Sequence, residues 1–352
     1  MPRQPATSRD DQARATQRFA AERDRLLAAL GPLTTGGIVE QVQHVGSSRL
    51  AGAGGSGLLD IALAVWPFPL AGPALAALRA LGHRPLPASP AAPDQRFRHA
   101  RRPVQLLFAE YGSDRWQDYL TVRDYLAHLG PAAPRPPAAG RERHFARLLP
   151  RANAWWVARH GFDAVEALAA ELAGFARPWH IAGGWAIDLF LGQVHRVHHD
   201  LDVEIARDDQ LALRAHLEAR GWTFLTPYQN RLERWPPEMR LEGARHQAHA
   251  FRGADVIDCQ LTDIHEGVWY YRRQPEVVRL MARAGRRTAD GVPYVAPELA
   301  LLFKSKNTGR HPRAKDHADF ERARPRLEPE GRAWLRWALT AADPGHPWID
   351  RL

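Results

Sequence analysis

Two short stretches of the chain alternate between apolar and polar positions. In HDLDVEIA, Leu201, Val203 and Ile205 alternate with Asp200, Asp202 and Glu204. In ADVIDCQLTD, Ile257, Cys259 and Leu261 alternate with Val256, Asp258 and Gln260. Successive residues of a strand point to opposite faces, so each stretch predicts a strand with one apolar face for a core. Elsewhere the period is helical. Leu168, Leu172 and Phe175 predict a helix stopped by Pro178. Residues 179–182 then read as a short apolar strand, and Gly183-Gly184 as a turn into the next helix. PELALLFKSKN predicts a helix with Leu299, Leu302 and Phe303 turned to the core. Lys304 and Lys306, two apart, point to different sides of it.

The same pattern divides the chain. A polar helix opens it, without the apolar centre of a signal peptide. No apolar run reaches the length of a membrane span, so no membrane is expected as partner. One cysteine, Cys259, forbids an internal disulfide and leads to the expectation of a cytoplasmic protein. The stretch LGPAAPRPPAAGRER, rich in Pro, Ala and Gly, reads as a linker, and HFARLLPRANAWWVARHG as a helix closing the first domain. The expected domains are residues 1–160 and 161–352. Each carries a helix, a strand, a glycine turn and a strand with an aspartate. In the first half these are Gly46-Ser47 and Asp60; in the second, Gly183-Gly184 and Asp200 with Asp202. The fold class expected is α/β (α+β), two copies of one small mixed sheet flanked by helices.

Candidate chemistry concentrates in the second half. Asp200 and Asp202, one pleat apart on a strand face, repel if buried, and a divalent cation removes that cost. Oxygen ligands of this kind suit Mg2+, which binds substrate phosphates as well. A solvated acidic face is the alternative for D-x-D taken alone. A Gly-Gly turn at a helix start lets backbone N–H groups approach phosphate, and the loop GQVHRVHH adds His195, Arg196, His198 and His199. The net charge of +9 is spread among acids, which points to solvated faces; a nucleic-acid partner is only weakly supported. The only lysines are Lys304, Lys306 and Lys315. In a chain otherwise so rich in arginine they mark positions suited to phosphate, or have clustered by chance.

AGGWAIDLFLGQVHRVHHDLDVEI resembles the motif of the nucleotidyltransferase superfamily, in the branch of the aminoglycoside and lincosamide O-nucleotidyltransferases. The likeness runs over most of residues 162–352. It implies a nucleotidyltransferase: Asp200, Asp202 and a third carboxylate as catalytic residues holding Mg2+, and Gly183 and Gly184 cradling the phosphates of a nucleoside triphosphate. The third carboxylate is read as Asp258, with Asp255 and Asp263 as competitors. It completes the site and serves as the candidate base toward the acceptor hydroxyl. Arg196, Lys304 and Lys306 are the further nucleotide-binding candidates. Glu204, two pleats from Asp200, is too far to share its ion. His198 either orients Asp200 or is a satisfied polar residue. Trp269, Tyr270 and Tyr271, with Arg272 and Arg273, form either a stacking wall for a base or a hairpin packed on the sheet. The acceptor implied is a hydroxyl of a small molecule. A non-catalytic nucleotide sensor, and nucleotidylation of tRNA or protein, are the alternatives.

In the first half, HVGSSRLAGAGGSGLLDIALAV and AEYGSDRWQDYLTVRDYLAHLG resemble the GrpB-like family, a related nucleotidyltransferase-fold group. This chain has Ser56-Gly57 where that family has lysine-proline, Gln105 and Leu107 where it has histidines, and Ala62 two residues beyond Asp60. With no paired carboxylate, the first domain is expected to be degenerate in chemistry, with His44, Gly46, Ser47 and Asp60 as a vestigial pocket.

Overall fold

In the computed structural model, which describes residues 8–31, 39–46, 57–65, 68–87, 94–110, 113–134, 140–198, 200–228, 231–252, 255–306 and 312–352, the chain divides into two units. One comprises residues 1–159 with 229–232, the other 160–228 with 233–352. Ser47, Ser56 and His199 lie outside the described residues.

The first unit runs α1 (Ser8–Leu30), β1 (Val39–Val45), β2 (Leu59–Val65), α2 (Gly72–Ala80), β3 (His83–Pro85), β4 (Gln95–His99), β5 (Val104–Glu110), α3 (Asp114–Leu129) and α4 (Arg141–His160). Its sheet has the order β1-β2-β5-β4-β3. All seven residues of β2 are buried, because both faces are covered. Leu26 and Leu30 of α1 and Leu78 of α2 pack with Leu59, Ile61 and Leu63 on one side. Trp116 and Tyr119 of α3 pack with Ala62 and Ala64 on the other. A strand buried on both faces reads as a continuous apolar run, and LDIALAV does so after its aspartate.

The second unit runs α5 (Asp163–Glu171), β6 (Trp179–Ile181), α6 (Gly183–Leu191), β7 (Leu201–Ala206), α7 (Gln210–Glu218), β8 (Thr223–Tyr228), β9 (Arg231–Arg234), β10 (Gln247–Arg252), β11 (Asp255–Thr262), β12 (Ile264–His265), β13 (Val268–Tyr270), β14 (Val278–Leu280), α8 (Met281–Ala284), β15 (Gly285–Arg287), β16 (Pro293–Val295), α9 (Pro297–Ser305), α10 (Ala314–Ala323) and α11 (Pro329–Ala342). Its main sheet has the order β15-β16-β6-β7-β11-β10-β8-β9. The alternation in β7 and β11 is resolved as expected: Val203, Ile205, Ile257, Cys259 and Leu261 are all buried. α5 ends earlier than Phe175 requires: Gly174 takes φ +78° and breaks the helix before Pro178. α9 buries Leu299 and Leu302.

The two sheets share a four-strand centre. β1 pairs antiparallel with β2, β2 parallel with β5, and β5 antiparallel with β4. In the same sequence β6 pairs antiparallel with β7, β7 parallel with β11, and β11 antiparallel with β10. The chain is thus mixed α/β, with two copies of one sheet plan.

Candidate active site

Asp202 is on β7, and the parallel register sets Asp258 of β11 directly opposite it. Asp200 enters β7 two residues earlier on the same face. Ligand oxygens of the three carboxylates lie within 4.8 Å of one another. The opposite faces of both strands are anchored in the core, so the carboxylates cannot turn away without breaking that packing.

Gly183 starts α6 with φ +62°. A Cβ there would strike the Asp202 carboxylate, standing 2.8 Å from its carbon even before any overlap with Oδ2. A Cβ on Gly184 would lie 2.5 Å from the His198 ring and would also strike Arg196. Glycine is needed twice for close approach, and at Gly183 for its backbone as well. The N-terminus of α6 therefore abuts the acids, its free N–H groups and dipole favouring an anion there. The Ala182 N–H donates to the Asp202 carbonyl at 2.9 Å, locking the turn to the strand.

Behind the turn, Asp188 of α6 is buried. It accepts from the His195 N–H at 3.1 Å and pairs with His195 Nδ1 at 3.0 Å and His198 Nε2 at 2.6 Å. His198 stacks on Trp185 at 4.3 Å, and the Trp185 indole donates to the Asp200 carbonyl at 3.1 Å. Asp200 is thus positioned through its backbone by Trp185, while His198 serves Asp188. Burial holds the His198 imidazole down at about 4, so it is neutral near pH 7.

The cations singled out in the sequence are already engaged. Arg196 donates to both oxygens of Asp319, at 3.3 and 3.1 Å. The Lys304 ammonium bridges Asp316 and Asp319 at 3.0 Å each. Both stand close to the site: Arg196 against Gly184, and Lys304 where its charge favours ionised Asp202. Lys306 turns elsewhere, its ammonium bonded to the Ala342 carbonyl at the end of α11. The competitors for the third carboxylate are not in the cluster. Asp263 pairs with Arg207 at 2.5 Å, and Asp255 sits exposed at the start of β11. Glu204 is buried, accepting from Thr262 Oγ1 at 2.9 Å and the Trp269 indole at 3.2 Å. Trp269 and Tyr271 are fully buried and pack edge-on against Phe303, so they belong to the core and not to a stacking wall.

Gln247 and His249 at the site had not been singled out, and Gln260 and Arg272 had been given no part in it beyond a strand face and a stacking wall. Gln247 of β10 donates to Asp258 Oδ2 at 2.7 Å, and Gln260 donates to Asp202 Oδ1 at 3.5 Å. Arg272 in turn donates to the Gln260 oxygen at 3.3 Å. His249 pairs across from Asp258, its imidazole held down at about 4 by burial despite Asp200. Gln260 was visible by phase on β11. β10 was not, because its buried residues, Ala248 and Ala250, carry too little apolar bulk to mark a strand. The electrostatics are frustrated. Burial, then Asp200, push Asp258 up to about 8. Burial, then Asp200 and Asp258, push Asp202 far above the usual carboxylate range.

The first unit shows the same frame with different contents. Val45 pairs with Asp60, and Gly46 follows with φ +77°, its Cβ position 2.6 Å from Asp60 Oδ2. Asp60 thus occupies the place of Asp202, not of Asp200. Leu58, not Ala62, stands where Asp200 would be. Gln105, the parallel partner of Asp60, replaces Asp258. The charge of Asp60 is met by Arg141 of α4, although burial outweighs that cation and raises its carboxyl to about 6.

Three carboxylates on two parallel strands, backed by a side-chain-free helix start, form an arrangement able to hold a divalent cation beside a phosphate, like that which the motif of the second half implies for a nucleotidyltransferase. In agreement, residues 164–323 match the family described as aminoglycoside-2''-adenylyltransferase, and residues 9–134 match the GrpB protein family. Both resemblances drawn from the motifs are thereby shown. No curated protein matches the chain. Among solved structures it is similar to the antibiotic-resistance factor ANT(2'')-Ia in solution, with 19% identity over 50% of this chain and 89% of that one, at a TM-score of 0.36. The same enzyme in complex with adenylyl-2''-tobramycin gives 18%, 51%, 98% and 0.37. The lincosamide antibiotic adenylyltransferase LnuA, lincomycin-bound, gives 17%, 46%, 94% and 0.34. Likeness at this level carries no conclusion about substrate.

Proposed function

We propose that the second unit transfers a nucleoside monophosphate from a nucleoside triphosphate to a hydroxyl of a small molecule, with Mg2+ as the metal. The observation that carries this reading is the convergence of Asp200, Asp202 and Asp258 on one point beside the Gly183-Gly184 helix start. The donor set fits a hard divalent cation. All three ligands are carboxylates, two are forced toward protonation by burial and then by the neighbouring carboxylates, and Asp258 Oδ1 is buried without a hydrogen-bond partner. Asp200, Asp202 and Asp258 would hold the ion. Bound there, it supplies charge neutralisation for the triphosphate and the departing pyrophosphate.

The chain's own groups divide the remaining work. Gly183 and Gly184 offer backbone N–H groups to the triphosphate. Asp258 accepts the hydroxyl proton as the acceptor oxygen bonds to the α-phosphorus and the bond to pyrophosphate breaks. Gln247 orients Asp258, and Gln260 orients Asp202. Arg196 and Lys304 act from behind, through Asp319 and through their field. The match to aminoglycoside-2''-adenylyltransferase supports an adenylyl donor and a small hydroxylated acceptor.

The first unit is proposed to be catalytically degenerate, since Leu58 and Gln105 stand at the places of two of the three carboxylates. No helix among the described residues is long and apolar enough to cross a membrane. A nucleoside triphosphate as co-substrate goes with a cytoplasmic location. The test is pyrophosphate release from nucleoside triphosphates with Mg2+ and a panel of hydroxylated acceptors. Asp200→Asn and Asp202→Asn should abolish it with the fold intact. Wild-type metal and nucleotide binding in both variants would show that the site lies elsewhere.

A further inference from the structure

At the far end of β7 and β11 lies a second concave site. A cleft of about 390 Å3 is lined by Arg207, His246, Asp263, Arg272 and Arg273, among others. Arg207 is accounted for: it donates to Asp263 at 2.5 Å and to the carbonyls of Leu241 and Arg245 at 3.1 and 2.9 Å. Arg272 and Arg273 are bonded only to neutral groups among the described residues. Arg272 donates to the Gln260 amide oxygen and lies over the Phe303 ring at 4.9 Å. Arg273 donates to the carbonyls of Phe303 and Lys306 at 3.0 Å and to the Tyr271 hydroxyl at 3.4 Å. Among the described residues, neither has a carboxylate within ion-pair distance. Asp258 and Glu204 lie near enough to favour charged Arg272, but burial and Arg273 prevail and hold its guanidinium below the usual range. His246, bonded through Nδ1 to the Ala244 carbonyl, is held low by burial and Arg272, and adds no charge near pH 7.

Arg272, largely buried without a counter-charge, is costly unless something negative arrives, and the exposed Arg273 guanidinium beside it adds to the positive field. A guanidinium fork matches phosphate and carboxylate geometry. The position of the cleft says which substrate would bring that group. β6 runs antiparallel to β7, so the Gly183-Gly184 turn stands at the start of β7. Arg207 and Asp263 follow the ends of β7 and β11. The triad therefore lies between the turn and the cleft, with Gln260 bridging Asp202 to Arg272. Gln260 is two residues beyond Asp258, roughly 7 Å along the strand.

We propose that this cleft receives a phosphate or carboxylate group of the acceptor, so that the acceptor is an anionic hydroxylated small molecule and not a polyamine. The proposal rests on the transfer reading above and assigns its acceptor class. The triphosphate, the other source of such a group, belongs at the turn.

Calorimetry on the full chain separates these sources. With Mg2+ and a saturating non-hydrolysable triphosphate present, glycerol 3-phosphate should bind, glycerol should not, and tobramycin should not compete. The double variant Arg272→Gln/Arg273→Gln should lose at least tenfold in glycerol 3-phosphate affinity, a larger loss than in nucleotide affinity, which Arg272 reaches only through Gln260. Because Arg273 also ties α9 through two carbonyls, Arg272→Lys serves as a second variant. It keeps the charge but not the fork, and an intermediate loss is expected. Equal affinity in wild type and Arg272→Lys, no binding by wild type, displacement of the probe by nucleotide, or tight tobramycin binding would each overturn the proposal. Asp200→Asn should still bind glycerol 3-phosphate without nucleotide. Normal turnover in that variant would sink the transfer reading while leaving the cleft in place.

Discussion

Replacing Gly183 by alanine perturbs the site through one methyl group. At φ +62° an L-residue pays about 1–2 kcal/mol for the left-handed backbone alone. The new Cβ would sit 2.8 Å from the Asp202 carboxylate carbon, where non-bonded carbons need about 3.5–4.0 Å, so Asp202 or the start of α6 must retreat by roughly 1 Å. Overpacking of that kind adds about 1–3 kcal/mol. Total destabilisation should then be about 2–5 kcal/mol, measurable as a lowered urea midpoint for the second unit. The functional loss should be larger than stability alone explains, since a displacement of about 1 Å in a reacting constellation costs on the order of 100-fold in rate. Pyrophosphate release and magnesium–nucleotide affinity, both measured where the variant is still folded, are the assays. Gly183→Ala with turnover within threefold of wild type would refute the claim that the helix start and Asp202 form one site.

Other expectations follow from the charges. Asp258 has a folded pKa near 8 against about 4 unfolded, so its ionisation opposes folding. Metal-free protein should therefore lose stability as pH rises from about 4 to 8, by at most about 5 kcal/mol. Urea midpoints in chelator would show it, Mg2+ should reverse it, and Asp258→Asn should flatten it; stability rising with pH would contradict the assignment. Lys304→Ala should destabilise by about 1.5–3 kcal/mol, because buried Asp316 and Asp319 lose a shared cation while keeping Arg313, Arg196 and Arg322; a raised KM for nucleotide in a fully stable variant would instead make Lys304 a direct phosphate contact. Lys306→Ala should cost only about 1 kcal/mol and leave KM unchanged, as kinetics and melting together would establish. Asp60→Asn should leave turnover unchanged, whereas a loss comparable to that of Asp200→Asn would make the first unit catalytic.

What could be learned from the sequence was local. A period of two is written in consecutive residues, so β7 and β11, and the face on which each carries its acids, followed from side-chain order alone. The Gly183-Gly184 turn and the repeated glycine-then-aspartate plan were legible for the same reason. Pairing was not. The register sets Asp202 beside Asp258 and brings Gln260, 58 residues along the chain, within 3.5 Å of Asp202. Register also decided that Asp60 corresponds to Asp202 and that Leu58, not Ala62, marks the missing partner. The partners of Arg196 and Lys304 lie on α10; Asp319 is 123 residues from Arg196. Trp269 and Tyr271, aromatic enough for a binding wall, became core once β13 packed against α9 and α11. Side-chain periodicity is set by the backbone of one element. The proximity of charges from different elements is set by how strands and helices pack, and that packing decided which acids could share an ion and which cations were left without a partner.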